Sequence, residues 1–94
     1  MNMPADTQRK ADTKAAAAAL VDLLSANGLA PADVKGYIDP PLVSDARRYV
    51  KQGRGLGAAR LAKLQEGLAK LQAAGVLEGI KAAKEQHEQF HSQL

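Results

Sequence analysis

Ninety-four residues, a formal net charge of +3 and no cysteine describe one small domain. The absence of thiols excludes disulfides, cysteine-type zinc sites and thiol catalysis. A chain of this size buries on the order of 60–65% of its surface, so a deep enclosed active site is hard to build, and no apolar stretch approaches the roughly 18 residues of a membrane span.

Alanine, leucine, lysine, glutamine and glutamate dominate, all of them helix formers. The only aromatics are Tyr37, Tyr49 and Phe90. Runs of the strand type are missing, so the expected fold is all-α, a compact bundle of four to five short helices.

Met1 to about Ala11 is polar, carries Pro4 and has no apolar period, which predicts a disordered tail over 1–11. Asp12 or Thr13 is the expected cap of a first helix. In that helix Ala17, Leu20, Val21 and Leu24 recur at three-four spacing and form one apolar face. The Ala15–Leu24 run imitates a signal-peptide core, but Asp22 interrupts it and no cleavage-like site follows, so a cytoplasmic protein is expected. Asn27-Gly28 is a stop.

Pro31, with Asp33 in the first turn, opens a short second helix whose small apolar face is Val34, Tyr37 and Ile38. Asp39-Pro40-Pro41 breaks it, and Asp39 is placed to cap the next. A third helix over about Pro41–Gln52 turns Leu42 or Val43, Ala46, Tyr49 and Val50 inward. Ser44, Arg47, Arg48 and Lys51 fall on its other side.

The loop Gly53-Arg54-Gly55-Leu56-Gly57 follows. A fourth helix spans about Ala58–Ala74 with Leu61, Leu64, Leu68 and Leu71 as its stripe. Gly75 interrupts, and a fifth helix carries Val76, Ile80, Ala83, His87, Phe90 and Leu94 on one face. Gly67, Gly75 and Gly79 weaken any continuous coiled coil, at roughly 1 kcal/mol each relative to alanine. The expected organisation is a helical domain over 12–74 and a C-terminal helix over 75–94 that either closes the core or pairs two protomers.

Charge is distributed unevenly. Between Asp45 and Glu66 lie six basic residues, Arg47, Arg48, Lys51, Arg54, Arg60 and Lys63, and no acidic one. Duplex DNA is bound largely by neutralising phosphates, and fixed cations on one rigid face supply that. Arginine also reads guanine edges with two parallel hydrogen bonds. Ser44 with Arg47 or Arg48 is therefore assigned to base edges. Lys51, Arg54, Arg60 and Lys63 are assigned to phosphates, together with the amides that open the fourth helix after Gly57. An Arg9-Lys10-Lys14 arm would add phosphate contacts. The scarcity of aromatics disfavours single-strand binding by stacking.

Three other patterns occur in the sequence. His87-Glu88-Gln89-Phe90-His91 matches the HExxH zinc-protease pattern, but it lies in the last eight residues with no room for a third ligand after it. Gly53 to Ala58 is similar to a Gly-rich phosphate loop, yet no strand precedes it. Asp22, Asp33 and Asp45 read as caps and surface charges. No catalytic set, metal site or cofactor is expected, and the chain reads as a non-enzyme.

The order helix, Gly turn, short helix, tight turn, basic helix, Gly loop, leucine-rich helix gives the segment Ala16–Leu71 a resemblance to helix-turn-helix domains of the lambda-repressor (Cro/C1/Xre) type. Leu23-Leu24-Ser25-Ala26-Asn27-Gly28-Leu29-Ala30-Pro31-Ala32-Asp33-Val34 resembles the end of helix one and helix two. Arg47-Arg48-Tyr49-Val50-Lys51-Gln52-Gly53-Arg54 resembles the end of a recognition helix, and Leu61-Ala62-Lys63-Leu64-Gln65-Glu66-Gly67-Leu68 the closing helix. The sequence departs from the family at Pro40-Pro41, which lengthens the turn. It departs again at Arg47, where the family register places a buried aliphatic and Ala46 stands one place earlier.

The resemblance implies a helix-turn-helix-like bundle and a small transcription regulator, such as a repressor. The third helix would enter the major groove of double-stranded DNA, and a homodimer would match two half-sites. The alternative is a helical interaction module, an inhibitor or adaptor, whose basic face grips an acidic protein partner.

Overall fold

A computed structural model describes the backbone of residues 5–92 and the side chains of residues 8–86. Four α-helices follow one another: α1 (Ala5–Ala26), α2 (Pro40–Gln52), α3 (Ala58–Gln72) and α4 (Val76–Ser92), with a 3₁₀ turn (Pro31–Val34) between α1 and α2. No strand occurs among the described residues, so the chain is all-helical. No helix among them is long and apolar enough to cross a membrane.

The core is where three apolar stripes meet. Leu20 and Leu24 of α1, Val43 of α2, Leu64 and Leu71 of α3 and Val34 of the 3₁₀ turn are fully buried. Ala17 and Ala46 are also fully buried, and their small side chains let α1 and α2, the most extensively packed pair, lie close together. The leucine stripe on α3 is buried at every expected position, Leu61, Leu64, Leu68 and Leu71.

On α2 both Leu42 and Val43 face inward, as does Tyr49, but Val50 is 49% exposed. Val34 and Ile38 are buried as expected, whereas Tyr37 is exposed.

Two elements differ from expectation. Helix α1 begins at Ala5 and not at a cap near Asp12. Residues 8–12 have no apolar face because they are solvated, but they are good helix formers continuous with a buried helix, and propagation from it needs no new nucleus. Asp12 accepts a hydrogen bond from the Gln8 amide one turn back at 3.0 Å. Thr13, buried in mid-helix, donates its hydroxyl to the Arg9 carbonyl at 2.6 Å. The proposed flexible arm carrying Lys10 and Lys14 is thus part of a helix.

The second helix shrinks to one 3₁₀ turn, since Gly36 and the two prolines after Asp39 leave too little chain to propagate it. Asp39 does occupy the N-cap position of α2. Its side chain makes no capping bond; its carbonyl accepts from the amides of Leu42 and Val43.

Two glycines have defined work. Gly53 ends α2 at φ 73°, a left-handed conformation costly for other residues, and its amide donates to the Tyr49 carbonyl at 2.7 Å. Gly67, in the middle of α3, is buried against the chain between the 3₁₀ turn and α2. A Cβ there would lie 2.9 Å from Ile38 Cβ and 3.1 Å from the Tyr37 carbonyl oxygen. Its lack of a side chain is what lets α3 touch that segment.

Helix α4 is held differently. Val76, Leu77 and Ile80 are only half-buried against the core, and polar contacts do the rest. The Lys84 ammonium reaches the Asp33 carboxylate at 2.9 Å and the Gly28 carbonyl at 3.0 Å. Lys81 reaches the Asn27 side-chain oxygen at 3.3 Å. Asp33 also accepts the Ala30 amide at 2.7 Å. That backbone bond, and then Lys84, hold its carboxyl below the usual aspartate range.

Candidate nucleic-acid interface

Helix α2 carries different chemistry on its two sides. Ser44, Arg47 and Lys51 share one outward face, because positions three and seven residues on return to the same side of a helix, and all three are exposed. Neither Arg47 nor Lys51 forms an ion pair among the described residues. Arg54, just beyond the helix, is exposed and makes only a long 3.4 Å bond to the Gln52 side chain. These cations lie in solvent with their charge available.

Arg48 and Arg60 are placed otherwise. Asp45, expected as a surface charge, is 6% exposed and sits at the seam between α2 and α3. Its Oδ1 meets the Arg48 guanidinium, one turn along the same helix, at 3.4 Å. Its Oδ2 meets the Arg60 guanidinium from the first turn of α3. Burying a carboxylate without a counter-charge is costly, and two guanidiniums at the rim, each roughly half exposed, compensate it. The Arg48 side chain also lies against Gly55, whose added Cβ would be 3.5 Å from its Cδ. The pair therefore ties α2, the glycine loop and α3 together. This role was hidden in the charge count; the signal for it was the Asp45–Arg48 spacing and the position of Asp45 beside the inward residues Leu42, Ala46 and Tyr49.

Lys63 stands apart from the α2 strip. It lines a shallow groove with Asp39, Glu66 and Lys70, and Glu66 and Lys70 are themselves paired at 3.3 Å. Carboxylates in its own groove offset its field. The seven residues picked out from sequence thus divide into an open strip (Ser44, Arg47, Lys51, Arg54), a structural tie (Arg48, Arg60) and a charge-balanced groove (Lys63).

The departure from the family register at Arg47 stands, since Ala46 is the fully buried residue and Arg47 points to solvent. Where the helix-turn-helix resemblance implies a helix before α2, the chain has the single 3₁₀ turn. The side chains of His87, Glu88 and His91 lie outside the described residues.

Compared with known proteins, the chain matches no family model, no curated protein and no solved structure.

Proposed function

We propose that this protein is a small DNA-binding regulator that lays the outward face of α2 against double-stranded DNA. The observation that carries the reading is the cationic face of Arg47 and Lys51 beside Ser44 on one short helix, continued by Arg54 in the loop just past it, none of the three cations ion-paired among the described residues. Thirteen residues make α2 about 20 Å long, a length that suits insertion into the major groove. Ser44 and Arg47 are assigned to base edges, Lys51 and Arg54 to phosphates. The start of α3 adds to the surface: Gly57 provides no side-chain cap, so the first amides of that helix are left for an anion.

Arg48 and Arg60 serve this surface indirectly, by fixing the loop from which Arg54 projects. The reading does not depend on a complete two-helix motif, because α1 and the 3₁₀ turn pack against α2 and the Asp45–Arg60 ion pair ties it to α3. Dimerisation through α4 belongs to the same proposal.

The test is binding to a fluorescent duplex over a salt series. Two phosphate contacts, from Lys51 and Arg54, predict a log–log slope of about −2, from roughly 0.9 counterions released per contact. Absence of binding at low salt, together with recovery of a stoichiometric, nuclease-resistant complex with an acidic protein, would replace DNA with a protein partner.

A further inference from the structure

A second site lies between the N-terminal half of α1 and the end of α2. There a half-open groove of about 390 Å³ is lined by Lys10, Ala11, Lys14 and Ala18 on one side and Tyr49, Val50 and Gly53 on the other. The volume is in the range of small-molecule pockets. Three features of the groove point to the same kind of occupant.

Its floor is apolar, and it contains Val50, which at 49% exposure is the most exposed large aliphatic side chain among the described residues. An apolar residue on the outer half of a helix gains nothing from water, and the groove gives it a partner face. Tyr49 is nine-tenths buried, but its hydroxyl is not enclosed and makes no hydrogen bond among the described residues, so it is a donor open to an occupant of the groove that Tyr49 lines. Lys10 and Lys14, one turn apart on α1, are exposed and form no ion pair among the described residues, and none of the described residues that line the groove is acidic. Two ammoniums, one phenol and an apolar floor complement a molecule with a carboxylate at one end and a hydrocarbon body.

We infer that this groove binds a small amphiphilic carboxylate, its anionic head between Lys10 and Lys14 and its body over Ala11, Ala18, Val50 and the Tyr49 ring. The site does not use the cations of the α2 strip, so it stands independently of the DNA reading.

The experiment is an NMR titration of the full chain with octanoate below its micellar concentration, with octanol and acetate as partial mimics. Octanoate should shift the amides of residues 10–18 and 49–53 saturably. Octanol, lacking charge, and acetate, lacking a body, should each bind at least tenfold more weakly. Lys10→Gln with Lys14→Gln should weaken octanoate at least tenfold while leaving octanol unchanged, and Tyr49→Phe should weaken it a few-fold with the ring retained. The paired lysine substitutions are on exposed helix positions, and a helical circular-dichroism spectrum like the parent's checks the fold. Unsaturable or scattered shifts with octanoate, an equal response to acetate, or an unchanged octanoate affinity in the double lysine variant would each overturn the assignment.

Discussion

Arg47 and Arg48 are adjacent in sequence and identical in chemistry, yet they belong to different regions of the molecule. Arg48 faces the seam between α2 and α3, where with Arg60 it compensates a carboxylate that is 6% exposed. Arg47 faces away, on the strip with Ser44 and Lys51, and pairs with nothing described. A step of one residue turns a helix by about 100°, enough to change a structural ion pair into a free charge. Counting cations along a chain measures the supply of charge; the seam shows how much of it is already engaged.

The comparison is broken most severely from the seam side. Replacing both Arg48 and Arg60 by alanine leaves the Asp45 carboxylate buried without a counter-charge. A loss of about 2–3 kcal/mol is expected in urea unfolding, below the figure for a fully enclosed pair because the seam can open to water. Asp45→Ala should cost only about 1 kcal/mol, since both guanidiniums are more than half exposed and remain solvated. Equal losses from the two variants would show that the carboxylate is not the costly member.

Glycines give a contrast of sign. Gly67→Ala should destabilise by about 1 kcal/mol net, because overpacking against Ile38 and the Tyr37 carbonyl outweighs the gain in helix propensity. Gly79→Ala, with nothing within 4 Å of the added methyl, should stabilise α4 by up to about 1 kcal/mol. Thermal melts of both variants decide it.

At the α4 dock, Asp33→Asn should cost about 1 kcal/mol, the scale of a lost capping carboxylate. The folded-state pKa of Asp33 is lowered from its ordinary 3.8. Its contribution is therefore complete above that value and disappears as the pH falls through the lowered one. Stability curves of parent and variant should converge there, and parallel curves down to strong acid would remove Asp33 from the dock. Smallest of all is the expected stability effect on the open strip: Arg47→Ala with Lys51→Ala should stay within about 0.5 kcal/mol of the parent.

Much of this arrangement was legible in the residues. The leucine stripe of α3, the proline start and glycine end of α2 and the break at Gly75 are local signals, and local signals set element boundaries. The extension of α1 to Ala5 was not legible, because a solvated helix without an apolar face has no periodicity to read. Nor was the reduction of the second helix to four residues, since Val34 and Ile38 are buried in either conformation. The strip was visible as an acid-free stretch; its division was not. Whether Arg60 meets Asp45 depends on how α3 folds back over α2, a contact between residues 15 apart that no local pattern contains.

The central claim, that Arg47 and Lys51 carry charge for a duplex while Arg48 holds the seam, is tested by one salt-series binding measurement on three proteins. Arg47→Ala with Lys51→Ala should lower duplex affinity at least tenfold and flatten the log–log salt slope by about 1, the share of the Lys51 phosphate contact, with the unfolding midpoint unchanged. Arg48→Ala should lower the midpoint and leave the slope near the parent's. If the parent and the Arg47/Lys51 variant bind duplex with the same affinity and the same slope, the outward face of α2 is not a DNA-binding surface.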